Sequence, residues 1–292
     1  MTSVHIRQLS RRASLQTLAA ASLCATAGLH RPTSALAQAA SRPDLKDEDI
    51  FQFALNLEYM EAEYYLRATT GKGIDASDLG SNPGQVKGGR KVSFQDKAIR
   101  EFADELAENE LAHVRFYRRT LGSQAVDRPA IDFEDGFAAV AKAAGLPDFD
   151  PFANDMNFLL GGMLFEDVGV TGYAGAASLL KKTEFVDAAA AILAVEAYHM
   201  GMARSQLYQM GEKAQKAANA VSAARDKLDG QQDKDQGIER NGKANIVPAT
   251  PDGMVFRRTP QEVLRIVYIT DRAGVDGGGF YPRGMNGTLK ST

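Results

Sequence analysis

Glu110-Leu111-Ala112-His113 and Glu196-Ala197-Tyr198-His199 are the two stretches that decide how this chain folds. The 292 residues contain four histidines, and His5 and His30 fall in an N-terminal segment with the marks of a cleaved signal. Each of the remaining two follows a glutamate by three positions. Glutamate occupies only 15 of 292 positions, so the coincidence needs a common cause. On an α-helix a spacing of three puts both side chains on one face, about 5–6 Å apart at Cβ. A carboxylate oxygen and an imidazole nitrogen so placed suit one metal ion.

Working outward, each motif lies in an apolar stripe of helical period. Phe94, Ala98, Phe102, Leu106, Glu110, His113 and Tyr117 mark one face of a helix that Ser93 can cap and that Gly122 ends. Ile192, Glu196, His199 and Ala203 mark another, over about 183–211. Two more stripes carry a glutamate without a histidine. Phe51, Ala54, Leu55, Glu58, Glu61, Ala62 and Tyr65 predict a helix over roughly 47–69; Leu159, Gly162, Met163, Glu166, Gly169, Val170 and Tyr173 predict one over about 151–180. Glu58 and Glu166 are each followed seven residues later by tyrosine. The order is Glu, Glu-x-x-His, Glu, Glu-x-x-His, one set per helix. Glu58 and Glu61 share a face while Glu63 points elsewhere; the repeated tyrosine spacing favours Glu58, with Glu61 as the alternative or an additional ligand.

The connections complete an all-α plan. Gly71 to Gly89 reads as a loop. Gly122 to Pro151 reads as a long crossover between the second and third helices, with a short helical pattern near Phe133–Ala144. The tight link at Lys181-Lys182 makes the third and fourth helices antiparallel neighbours. Beyond Gly211 the composition shifts, and 212–243 reads as a solvated, charged segment, a helix extension followed by a mobile loop. Thr259-Pro260-Gln261-Glu262 is a capping signal for a short terminal element. The ending, Gly277-Gly278-Gly279-Phe280-Tyr281-Pro282, is irregular chain expected to wrap the bundle. The domains are therefore a signal over 1–37, a bundle over 38–211 and an extension over 212–292.

Residues 1–37 carry Arg7, Arg11, Arg12 and Arg31 and no acid. The apolar run Leu15–Leu29 is shorter than the roughly 20 residues a membrane helix needs, and Ala35-Leu36-Ala37 supplies a cleavage site, so no stable membrane insertion is expected afterwards. Ser10-Arg11-Arg12-Ala13-Ser14-Leu15-Gln16 resembles the twin-arginine export motif, which predicts a periplasmic or extracellular protein. Removing the segment also removes Cys24, the sole cysteine, so disulfides and thiolate metal sites are excluded. Four of the 34 Lys and Arg residues leave with it, and the remaining 30 against 37 Asp and Glu lack the basic footprint of a nucleic-acid binder.

The ligand order resembles that of the ferritin-like di-iron and di-manganese carboxylate proteins. More narrowly, Ala54-Leu55-Asn56-Leu57-Glu58-Tyr59-Met60-Glu61-Ala62-Glu63-Tyr64-Tyr65, the Thr259–Val267 segment and Phe280-Tyr281-Pro282 resemble the desiccation-related, ferritin-like family. The resemblance implies a four-helix bundle holding two ions, Fe or Mn. It implies that Glu110 and Glu196 bridge them, that Glu58 and Glu166 each bind one terminally, and that His113 and His199 complete the two spheres. Four carboxylates against two dipositive ions leave a neutral site. The expected substrates are O2, peroxide or something they oxidise. A metal-storage protein and a structural stress protein are the alternatives, and a homo-oligomer stays open.

Overall fold

The computed structural model describes residues 45–292; the signal expected over 1–37 lies outside them. The described chain contains seven α-helices: α1 Asp47–Thr70, α2 Lys97–Leu121, α3 Phe133–Ala144, α4 Asp155–Ala176, α5 Thr183–Gln209, α6 Glu212–Asp226 and α7 Pro260–Val267. The bundle is α1, α2, α4 and α5. Helix α1 packs along α2, with Phe51 near its start against Tyr117 near the end of α2, so the pair is antiparallel. Helices α4 and α5 form the second antiparallel pair. Tyr65 reaches Glu166 and Tyr173 reaches Glu58, so α1 and α4 are antiparallel as well. Helices α2 and α4 therefore run the same way, and the crossover between them must traverse the bundle's length.

Local chemistry sets the helix ends. Asp47, Glu48 and Asp49 fill the first turn of α1, where the helix dipole favours negative charge. The Asp47 carboxylate also accepts the backbone N–H groups of Lys181 and Lys182, tying the α4–α5 link to the start of α1. Ser93 does not cap α2. Asp96 does, accepting from the backbone of Ala98 and Ile99, while Asp155 holds the N–H groups of Gln95 and Asp96. Asn154 caps α4, and Thr259 and Glu262 form a reciprocal capping box on α7.

The connections are more ordered than loops alone. Val86–Lys87 (β1) pairs in parallel with Ile131–Asp132 (β2), joining the first loop to the crossover. Crossover helix α3 brings Phe133 and Phe137 to the buried Tyr64, which also meets Phe152, Phe158 and Phe165. Phe280, from the glycine-rich ending, packs on Phe137 and Phe165. Neighbouring Tyr281 donates its hydroxyl to the backbone of Asn56 on α1. A second strand pair, β3 Glu239–Arg240 and β4 Lys243–Ala244, is an antiparallel hairpin.

Residues 212–243 correct the expectation of a solvated segment. Helix α6 buries Ala214, Ala217, Ala218, Val221 and Ala224 against α3, α4 and α5, and Ile238 beyond it is fully buried. Glu212, Lys213, Lys216, Lys227, Asp233, Arg240 and Lys243 are exposed as expected, but Arg225, Asp229, Lys234 and Asp235 are buried as internal partners. Arg204 and Arg225 both hold Asp167, at 2.8 and 2.6 Å, Arg225 also holds Asp235 at 2.8 Å, and Arg258 holds Asp229 at 2.7 Å together with Asp235. All three guanidinium groups are buried.

Candidate metal centre

The six residues singled out by sequence converge inside the bundle, Glu58 from α1, Glu110 and His113 from one turn of α2, Glu166 from α4, and Glu196 and His199 from one turn of α5. Ligand atoms of Glu58, Glu110, His113 and Glu196 lie within 4.8 Å of one another, and so do those of Glu110, Glu166, Glu196 and His199. Glu110 and Glu196 belong to both groups. Glu58, Glu110, Glu166 and Glu196 are fully buried, and His113 and His199 nearly so.

His113 Nδ1 lies 3.1 Å from Glu58 Oε2, 3.2 Å from Glu110 Oε2 and 3.6 Å from Glu196 Oε1. His199 Nδ1 lies 2.9 Å from Glu110 Oε1 and 3.4 Å from Glu166 Oε2. The two oxygens of Glu110 thus face different histidines. Close approach has not produced full pairing: Glu110 Oε1, His199 Nδ1, Glu166 Oε2 and both oxygens of Glu196 have no hydrogen-bond partner. Buried polar atoms are nearly always partnered, and unpaired buried carboxylate oxygens cost several kcal/mol. Unpaired lone pairs converging from two sides fit metal ions as the missing partner. The donor set of carboxylate oxygen and imidazole nitrogen suits a divalent metal ion.

The site's electrostatics are those of excess buried negative charge. Burial pushes Glu58 up to about 7, with the His113 charge opposing it. Burial also raises Glu166, against the pull of His199. Glu61 and Glu196 go well above the carboxylate range through burial, reinforced by neighbouring carboxylates. For Glu110 the burial penalty is outweighed by His113 and His199, which hold it low. Burial alone would lower both imidazolium groups. The carboxylates win, Glu58 and Glu110 pushing His113 up to about 12, Glu166 and Glu110 pushing His199 up to about 11. Without metal, the two histidines are the cluster's only cations.

Glu58, rather than Glu61, stands in the first four-residue group. Glu61 is buried one turn further along α1. A Cβ on Gly169 would lie 3.4 Å from Glu61 Oε1 and 2.5 Å from Glu196 Oε2, so this glycine makes the room both carboxylates occupy. Glu63 points away and pairs with Arg67 and Arg128.

Two neighbours were not singled out by the sequence reading. Tyr117 places its hydroxyl 2.8 Å from that of Tyr173, which in turn donates to Glu58. Tyr117 follows Glu110 by seven residues, the same spacing that marked Tyr65 and Tyr173. Asn109 Nδ2 lies 3.3 Å from His199 Nε2. Exchanging the amide's oxygen and nitrogen makes Asn109 the acceptor for an Nε2–H, the tautomer that leaves Nδ1 free for a metal.

The fold and site define a ferritin-like bundle with a buried carboxylate–histidine cluster. The family model for the ferritin-like domain matches residues 46–209, and the chain belongs to this family. It is similar to a protein named ferritin-like catalase Nec2 from Nesocodon mauritianus, at 30% identity over 269 residues, covering 84% of this chain and 85% of that protein. It is also similar to the desiccation-related protein PCC13-62 from Craterostigma plantagineum, at 32% identity over 244 residues, covering 75% and 76% of the two chains. No solved structure matches the chain significantly.

Proposed function

We propose that this chain is an exported protein whose bundle binds two iron or manganese ions and uses them in redox chemistry on peroxide or O2. Glu58 and His113 serve one ion and Glu166 and His199 the other, with Glu110 and Glu196 reaching both. The observation that carries this reading is the membership of Glu110 and Glu196 in both four-residue groups, with both Glu196 oxygens unpaired. A similar protein bearing the name catalase favours peroxide among the oxygen species.

Two ions that each change oxidation state by one supply the electron pair that peroxide disproportionation passes from one molecule to the next. The chain's residues do the rest. Oxidising one peroxide to O2 releases two protons, and reducing a second to two waters consumes two. Glu61, buried beside Glu196, is the carboxyl of the cluster left to hold a proton at Oε1. Leu57, Met60, Leu164, Phe165 and Val168 wall a cavity of about 10 Å³ next to it. That is about the space of one water, so the wall excludes bulk solvent and large substrates. The twin-arginine pattern supports export to the periplasm or beyond by a route that carries folded proteins, which lets the metals be loaded beforehand.

The test is O2 evolution from peroxide by metal-loaded protein, with activity lost in Glu110→Ala. Peroxide left intact by protein holding two ions would sink the catalytic reading. Iron uptake far beyond two ions per chain would point instead to storage.

A further inference from the structure

Each terminal glutamate of the cluster has one oxygen already taken. Tyr173 on α4 donates to Glu58 Oε1 on α1, and Tyr65 on α1 donates to Glu166 Oε1 on α4 at 2.5 Å. Two hydrogen bonds thus cross in opposite directions between the same pair of helices. The other oxygens face the histidines, Glu58 Oε2 at 3.1 Å from His113 and Glu166 Oε2 at 3.4 Å from His199. Both phenols are fixed. Tyr117 holds the hydroxyl of Tyr173, and the ring of Tyr65 is wedged edge-on against Tyr64 and Phe158.

A carboxylate that chelates an ion must turn both oxygens toward it. Here that would distort the bond to tyrosine, leaving buried Tyr65 without a well-placed acceptor and Tyr173 with only the Tyr117 hydroxyl, which is disfavoured. We infer, on the two-ion reading above, that Tyr65 and Tyr173 are positioning residues that keep Glu166 and Glu58 one-oxygen ligands. Each ion would then be held by one terminal oxygen, by Glu110 and Glu196, and by one imidazole nitrogen, four protein ligands that would leave coordination positions free. The positions kept open take a small anionic ligand of peroxide size. The spaces beside the site, about 10 and 20 Å³ and both walled by Leu57 and Gly169, leave room only for ligands of two or three heavy atoms, such as peroxide or azide.

Azide is the probe. Iron-loaded wild type, Tyr173→Phe, Tyr65→Phe and Tyr64→Phe are titrated with it, following the ligand-to-metal charge-transfer band, with bound iron counted for each. Tyr64 supplies the control, because its hydroxyl is equally buried but donates 2.8 Å to the backbone of Phe158 and touches no carboxylate. Tyr173→Phe and Tyr65→Phe should keep two ions while azide affinity falls by about tenfold, as the freed oxygen swings in to chelate. Tyr64→Phe should bind azide as wild type does. If Tyr65→Phe fails to fold, Tyr173→Phe reads the same effect at the other ion. Unchanged azide affinity in the folded variants with two ions bound, or an equal loss in Tyr64→Phe, overturns the inference alone. Wild type that never takes two ions overturns the two-ion reading and this inference with it.

Discussion

Stripped of metal, the protein should lose stability as the pH rises from 5 to 8, by an amount the cluster itself sets. Glu58 moves from an ordinary value of 4.5 to about 7 on folding. The folded state therefore holds a proton that the unfolded chain releases. The stability this confers is complete below pH 4.5 and is lost as the pH climbs through 7, an interval worth about 3 kcal/mol. Glu61, Glu166 and Glu196 are raised in the same direction and steepen the loss. His113 and His199, raised from 6.5 to about 12 and about 11, keep their protons while the unfolded chain gives its own up. Each adds a further loss of about 2 kcal/mol between pH 6.5 and 8. Glu110 is lowered instead, so its contribution disappears only on acidification below its ordinary range and does not oppose the trend. The shifts of Glu58, Glu61, Glu166, Glu196, His113 and His199 all act in the same direction across this pH range. With ions bound, the glutamates are ionised as ligands and the dependence vanishes or reverses, because metal binding releases protons. Urea unfolding midpoints of metal-free and reconstituted protein at pH 5, 6.5 and 8 measure this. A metal-free midpoint that stays level or rises across that range refutes the reasoning.

Three further outcomes follow from the same geometry. Gly169→Ala places a methyl group 2.5 Å from Glu196 Oε2, so the carboxylate must move; iron per chain should fall while helix content and melting temperature hold, since alanine favours helix over glycine by about 1 kcal/mol. Asn109→Ala removes the partner that orients His199, and metal affinity measured by competition with a chelator should drop by about 10–100-fold with the fold intact. Arg258→Ala leaves Asp229 and Asp235 short of a buried cation that touches none of the six cluster residues; unfolding should become easier by about 3–5 kcal/mol, while the number of ions bound by the folded fraction stays the same.

The four-helix plan was legible because period and chemistry coincide: a glutamate three residues before each histidine has one sensible place, a shared face on a buried stripe. Glu58 and Glu166 were readable from a tyrosine one further double turn along, and the same spacing applied to Glu110 would have found Tyr117. What stayed hidden depends on partners distant in sequence. Ser93 and Asp96 are both competent caps, and the choice falls to Asp96 partly because Asp155, some 60 residues on, holds the backbone just before the helix. Residues 212–243 looked solvated because they are charged. Their alanines bury through close helix approach, and Arg225 is satisfied by Asp167, 58 residues earlier. Asn109 has no local mark at all, since only the packing of α2 on α5 sets it against His199.

Anomalous diffraction from crystals of reconstituted protein, collected at the iron and manganese absorption edges, tests the central claim most directly. Two peaks are expected in the bundle core, one beside Glu58 and His113 and one beside Glu166 and His199, with the carboxylates of Glu110 and Glu196 between them. A single peak, peaks elsewhere, or none at all would contradict the account.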